Sequence, residues 1–219
     1  MVWHGQGRGL LGYPAGRHPE RGPTERKSDM ASELQGKTIA ILAADGVEQV
    51  ELERPRQAVQ AAGAVTELLS IKPGEIQAVN QDIHPPVTFT VDRLVGEVSA
   101  GDYDALILPG GAVNPDNLRQ HEAAVGFVRD FVNSGKPVGM ICHGPWTLVE
   151  AGVVQGRTLT SYPSVRTDIR NAGGKVIDQE VVTDQNITSS RWPEDRPAFC
   201  ARIVEQFAAG WTPAHRATR

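Results

Sequence analysis

Three continuous apolar runs, each soon followed by glycine-rich turn residues, constrain the fold of this chain more than any other feature. They occupy residues 38–43, 104–108 and 137–141. Uninterrupted apolar strands are typical of a parallel sheet that helices cover on both faces. Helical patterns lie at residues 47–62, 122–133 and 194–208. The sequence therefore predicts an α/β domain with three layers and a mainly parallel sheet.

Weaker patterns complete this prediction. Further strands are expected at residues 65–71, 157–160, 181–183 and 187–189, and further helices at residues 145–150 and 164–171. An irregular hairpin on a sheet edge is expected at residues 75–91, which contain Pro85 and Pro86. Pro55 lies inside the first predicted helix and is expected to kink it, because proline cannot donate the helical hydrogen bond.

The two ends of the chain differ from the sequence between them. Residues 1–30 hold six glycines, three prolines and more basic than acidic side chains, with few aliphatic ones. Such a segment buries too little apolar surface to offset the entropy of ordering it. We expect it to be disordered, or to precede a native start at Met30. Residues 31–210 are predicted to form one domain, and residues 211–219 a tail.

Composition gives no support for several classes of function. The formal net charge is −4, which does not favour nucleic acid, and no apolar run approaches the roughly 18 residues of a membrane span. The two cysteines, Cys142 and Cys200, fall in different contexts, so we expect no disulfide and a cytoplasmic location. The six histidines show no metal-ligand spacing, and no phosphate-binding loop occurs. Neither a metal nor another cofactor is predicted.

Cys142 is the candidate nucleophile. It lies between the strand at 137–141 and the helix that begins near Pro145, with Gly139 before it and Gly144 after it. A nucleophile at such an elbow is exposed by the tight turn, and small neighbours avoid collision with its backbone. The positive end of the following helix is expected to lower the pKa of the thiol. Cys200, on an apolar helix, is interpreted as a core residue.

Other polar groups are expected at the same edge of the sheet, where the parallel strands end. The backbone N–H groups of His143 and Gly111 are candidate oxyanion donors. The imidazole of His143 is a candidate base only if it folds back onto the thiol. Glu48 and Glu51, three residues apart on the first helical turn, are either solvated acids or partners of the thiol.

The chain resembles the ThiJ/PfpI superfamily, in particular the PfpI branch of intracellular proteases and general stress proteins. The resemblance runs from Lys37 to Phe207, and its matching stretches are residues 44–52, 104–111, 135–138, 141–145, 160–163 and 171–173. It implies a flavodoxin-like fold and a homodimer or larger homo-oligomer with the site near a subunit contact.

The resemblance also implies roles for individual residues. Cys142 would be the nucleophile, Glu51 the glutamate that bonds its sulfur, and His143 its catalytic partner. Gly111 and His143 would form the oxyanion hole. Glu48 would be an acid at the subunit interface. The acid that protease members take from a neighbouring subunit would correspond to Asp116, which has a shorter side chain and is expected in a loop.

Two enzymatic functions and one non-enzymatic function compete on these residues, and a fourth function is disfavoured. The preferred one is a stress-response enzyme of the glyoxalase or deglycase type that acts, without a cofactor, on small aldehydes or glycated proteins. The same residues suit a cysteine peptidase, whose amide leaving group would need His143 as its acid. The alternative is a non-enzymatic sensor of oxidative stress that works through oxidation of Cys142. A glutamine amidotransferase is disfavoured, because no His-x-Glu pair follows the last strands.

Overall fold

A seven-stranded sheet forms the centre of the protein in the computed structural model, which describes residues 33–81 and 87–210. The described strands are β1 (Thr38–Leu42), β2 (Val47–Glu48), β3 (Val65–Ser70), β4 (Glu75–Val79), β5 (Thr88–Thr90), β6 (Arg93–Leu94), β7 (Ala105–Leu108), β8 (Val138–Ile141), β9 (Thr158–Leu159), β10 (Lys175–Val176), β11 (Val181–Asp184) and β12 (Ile187–Ser190). The order in the large sheet is β11-β12-β8-β7-β1-β3-β6, and every neighbouring pair is parallel except β11 and β12.

Helices cover both faces of this sheet. They are α1 (Gln49–Ala61), α2 (Val113–Arg119), α3 (Glu122–Asn133), α4 (Pro145–Ala151), α5 (Arg166–Asn171) and α6 (Arg196–Ala209). Alternate residues of β1 enter the two cores, because successive strand side chains point to opposite faces. Ala40 and Leu42 pack with α3 and α4, whereas Ile39 and Ile41 pack with α1 and α6. The predicted three-layer, mainly parallel α/β architecture is thereby confirmed.

The first predicted helix and the predicted edge hairpin need correction. The helix begins at Gln49, because Val47 and Glu48 form β2, which pairs in parallel with β4. Strands β4 and β5 are antiparallel, as a hairpin requires, but with β2 they form a separate three-stranded sheet and do not pair with an edge strand of the large one. The Pro85-Pro86 part of this prediction lies outside the described residues, as do residues 1–30 and 211–219.

Two further predictions fail for local reasons. The segment after the Gly110-Gly111 turn, expected to be a loop, forms α2 and carries Asp116. Cys200, interpreted as a core residue, is only half-buried on α6, although its neighbours Phe199 and Ile203 are fully buried. No helix among the described residues combines the length and the apolar character needed to cross a lipid bilayer.

Close packing of β8 against α6 requires glycine at position 139. A Cβ atom placed on Gly139 would lie 2.7 Å from Cγ2 of Ile203 and 3.4 Å from Cζ of Phe199. We predict that Gly139→Ala lowers the free energy of unfolding by about 1–3 kcal/mol through overpacking. Gly126→Ala, in α3, is the control, because nothing lies within 4 Å of its added Cβ.

Helix propensity predicts that the control variant is stabilised by up to about 1 kcal/mol. Urea denaturation of the wild type and both variants measures the two changes. Equal stability of Gly139→Ala and the wild type would show that α6 moves away from β8 at no cost, which contradicts the prediction.

Candidate active site

Cys142 lies directly after β8 in a left-handed backbone conformation, with φ of +61°. This conformation is uncommon for a residue with a side chain and is maintained only where the surroundings stabilise it. The Cys142 N–H donates to the Ser190 carbonyl at 3.1 Å, and the Cys142 carbonyl accepts from the Tyr162 N–H at 3.0 Å. These two bonds anchor the predicted elbow to the end of β12 and to the segment after β9.

Glycine is required on both sides of the thiol. A Cβ atom on Gly144 would approach the Leu108 carbonyl oxygen to 2.6 Å, and one on Gly110 would approach Cβ of Cys142 to 2.6 Å. Both contacts are shorter than side chains tolerate. The end of β8 and the turn after β7 can therefore meet closely only because both positions lack a side chain.

Glu51, on the first turn of α1, is completely buried beside the thiol. Its Oε2 accepts the Gly110 N–H at 3.0 Å, and its carboxyl group hydrogen-bonds with Cys142. Burial, with a smaller contribution from the nearby charge of Glu48, raises the pKa of Glu51 to about 8. Its Oε1 is buried without a nitrogen or oxygen partner among the described residues, which suits a neutral acid better than a carboxylate. At neutral pH Glu51 is thus a hydrogen-bond donor to the sulfur.

The sulfur of Cys142 also receives two backbone donors, the N–H groups of Gly111 and His143. These donors lower the pKa of the thiol, but burial raises it more strongly, and negative charge on Glu51, where that group is ionised, raises it further. The prediction of a lowered pKa is therefore wrong for the unliganded protein. Only 6% of Cys142 is exposed, and the loss of water around a thiolate outweighs the following helix, which has only seven residues.

The imidazole of His143 does fold back onto the thiol. Its Nδ1 lies 3.1 Å from Sγ of Cys142, and its Nε2 lies 3.0 Å from Oγ of Ser164. The ring of Tyr162 stacks on it with the centroids 4.5 Å apart, and Trp146 contacts it at 5.8 Å. Sequence reasoning found neither Ser164 nor Trp146 as a neighbour of the site.

The structure does not bring Asp116 to the thiol. Asp116 is exposed on α2, where its carboxylate accepts a hydrogen bond from Gln120 at 3.2 Å. Glu48, predicted on the first helical turn, lies instead at the N-cap of α1, one residue before the helix begins, and its Oε2 accepts the Gln81 N–H at 2.9 Å. Their suggested roles at a subunit contact stay predictions.

Asn114 is a structural residue of the site that sequence reasoning missed. It is completely buried, and its Nδ2 donates to the carbonyls of Pro109 and Gly110, each at 3.0 Å. Its Oδ1 accepts the Ala44 N–H at 2.7 Å. Asn114 thus fixes the turn that presents Gly111 to the sulfur. The described residues contain no cluster of three or more His, Cys, Asp or Glu side chains arranged to hold a metal ion.

The second thiol has a different environment. Burial raises the pKa of Cys200 to about 11, with Arg196 and Arg54 opposing the shift. None of the donors and acceptors found around Cys142 surrounds it among the described residues. Cys200 therefore serves as a natural comparison for the chemistry of Cys142.

Together these features define a class, the flavodoxin-like α/β proteins with a buried cysteine at a strand-to-helix elbow. The chain belongs to the DJ-1/PfpI family, whose model matches residues 37–206. The ThiJ/PfpI resemblance is thereby confirmed.

Several curated proteins are similar over almost their whole length. The chain is 42% identical to protein/nucleic acid deglycase 2 of Escherichia coli over 74% of this chain and 93% of that one. It is 40% identical to deglycase TK1284 of Thermococcus kodakarensis (76% and 97%) and 38% identical to general stress protein 18 of Bacillus subtilis (75% and 94%). Among solved structures, Drosophila melanogaster DJ-1beta superposes with a TM-score of 0.71 at 26% identity, over 78% of this chain and 90% of that one.

The shifted pKa of Glu51 predicts a pH-dependent stability. In the unfolded chain this carboxyl titrates near 4.5, whereas in the folded protein its pKa is about 8. Between these values the folded protein binds more protons, so its stability relative to the unfolded chain falls as the pH rises. Glutamine at this position cannot titrate. We expect the free energy of unfolding of the wild type to fall relative to Glu51→Gln between pH 5 and pH 8 by a few kcal/mol, since one pKa unit corresponds to about 1.4 kcal/mol.

Urea denaturation of both proteins at each pH unit from 5 to 9 measures this difference. Every other titrating group is common to the two proteins and cancels from it. A difference that stays constant from pH 5 to pH 8 would show that Glu51 titrates alike in the folded and unfolded states.

Proposed function

We propose that this protein is a stress-response enzyme of the deglycase type, which uses Cys142 to act on reactive carbonyls or on glycated adducts. The observation that carries the proposal is the surroundings of the sulfur. A neutral Glu51 and two backbone N–H groups donate to it, and His143 Nδ1 lies within reach of its proton. The names of the deglycase relatives and of the general stress protein support the same class of function.

The first chemical step follows from these contacts. The proton of the Cys142 thiol passes to Nδ1 of His143, and the sulfur adds to the aldehyde carbon of a substrate such as methylglyoxal. The carbonyl electrons become an oxyanion, which the imidazolium protonates to complete a hemithioacetal. Before it is protonated, the oxyanion is the oxygen on the carbon bonded to sulfur, so the N–H groups of Gly111 and His143, which donate to the sulfur, are near enough to stabilise it.

The later steps need a base beside the same carbon. Removal of its C–H proton by the neutral imidazole of His143 gives an enediolate, whose remaining O–H proton moves to the other oxygen. Return of the removed proton to the adjacent carbon then gives a thioester. Water then releases lactate and restores the thiol, so methylglyoxal and one water become one lactate. For a methylglyoxal hemithioacetal already formed on another thiol, the adduct and one water give lactate and that thiol.

Cys142 is predicted to be required for this reaction. Cys142→Ser should reduce the loss of methylglyoxal at least about 100-fold, because removal of a nucleophile abolishes the covalent step. Cys200→Ser is the matched control and should keep wild-type turnover. The assay follows methylglyoxal loss, lactate formation and release of methylglyoxal-modified N-acetylcysteine, in a buffer without amines.

The same samples test the alternative functions. A wild type that does not exceed Cys142→Ser would contradict the enzyme proposal. If mild peroxide then converts Cys142 to sulfenic or sulfinic acid, observed by mass spectrometry, the oxidative-stress sensor is favoured. Cleavage of casein by the wild type but not by Cys142→Ser would favour the peptidase.

We also propose that the protein acts as a homodimer or larger homo-oligomer. Two exposed apolar side chains support this: Val113 at the start of α2 is 52% exposed, and Tyr162 beside His143 is 37% exposed. Aromatic side chains such as Tyr162 are enriched where subunits meet. Sedimentation velocity of the full chain should show a species of at least twice the monomer mass, and a monomer at all concentrations would contradict this proposal.

A further inference from the structure

Within the segment after β9 (residues 160–165), Ser164 makes the hydrogen bond to the imidazole of His143, on which Tyr162 stacks. The segment is held to the elbow by the Tyr162 N–H, which donates to the Cys142 carbonyl at 3.0 Å. At its far end, Arg166 forms an ion pair with Asp178 at 3.0 Å. Arg191 forms an ion pair with the same Asp178 at 2.9 Å. Because both ends are anchored, Oγ of Ser164 is held at 3.0 Å from Nε2 of His143.

The donors around the sulfur determine which nitrogen of His143 carries the proton. The sulfur already accepts hydrogen bonds from Glu51 and from the Gly111 and His143 backbone. A further donor would crowd a neutral thiol, whereas its own S–H requires an acceptor. Nδ1 of His143, at 3.1 Å, is that acceptor. In the neutral ring Nε2 then carries the hydrogen, and it donates to Oγ of Ser164.

We infer that Ser164 is a positioning residue, which fixes the orientation and tautomer of His143 from within the same chain. The inference rests on the proposed function of Cys142 and His143. When the thiol proton moves to Nδ1, the ring becomes an imidazolium and its Nε2–H bond to Ser164 becomes charge-assisted, hence stronger. Ser164 therefore favours the ion pair of thiolate and imidazolium without touching the substrate.

Ser164 is exposed, so replacing it leaves the packed core intact. Ser164→Ala should lower kcat for methylglyoxal by at least about tenfold, a part of the roughly 10²- to 10⁴-fold that positioned proton transfer contributes. KM should change by less than about twofold, because binding is not the step affected. Ser164→Thr keeps the hydroxyl group, and its kcat should stay within about threefold of the wild-type value. Thr167→Ala, an exposed hydroxyl in the next turn, is the matched control and should not differ from it.

Two measurements test the inference without turnover. Long-range ¹H–¹⁵N spectra of imidazole-labelled protein should show His143 with its hydrogen on Nε2 in the wild type and in Ser164→Thr, and a mixture of tautomers in Ser164→Ala. The rate of Cys142 alkylation by iodoacetamide should fall in Ser164→Ala and recover in Ser164→Thr. A wild type without turnover would overturn the proposed function alone. Unchanged spectra and alkylation in Ser164→Ala, or hydrogen on Nδ1 in the wild type, would overturn the inference.

Discussion

The left-handed backbone of Cys142 is the constraint on which the rest of the site depends. A residue with a side chain at this φ costs roughly 1–3 kcal/mol, so neighbouring structure has to maintain it. Bonds to Ser190 and Tyr162 do so from two separate parts of the chain. The sharp turn lets the chain pass from the buried centre of the sheet into α4 within a few residues. It also directs the sulfur toward Glu51 and away from water.

Burial makes this thiol weakly acidic, yet the same burial strengthens every hydrogen bond to it. In a site without water, a donor interacts with a developing charge far more strongly than at the surface. The hydrogen bonds from the neutral carboxyl of Glu51 and the N–H of Gly111 to the sulfur are therefore strongest when the thiol proton has been transferred to His143. In the proposed mechanism, reactivity depends on the transfer of one proton to an aligned acceptor and needs no permanent thiolate. A raised pKa of the thiol is therefore compatible with nucleophilic chemistry.

The sequence predicts the sheet well because burial on both faces leaves an apolar run that periodicity detects, and α3 occupies the predicted residues 122–133. Helix α2 was missed because Asn114-Pro115 reads as a turn. The direction of the Cys142 pKa was wrong because a strand-to-helix junction is visible in a sequence, whereas the depth at which the thiol is buried is not. Ser164 lies 21 residues from His143, so its contact depends on tertiary packing that no local pattern records.

The contacts of the sulfur divide into two sides with different physical tasks. On one side, Asn114 fixes the turn that carries Gly111, and Glu51 adds a third donor beside the backbone of His143, so this side stabilises negative charge. On the other side, the segment after β9 contacts the imidazole of His143 through Ser164, so in the proposed mechanism this side sets the route of the proton. Both tasks are carried out within one chain. In that mechanism, an acid such as Asp116 from a neighbouring subunit would adjust the charge on the imidazolium or contact the substrate, because the groups proposed to move the proton all lie within one chain.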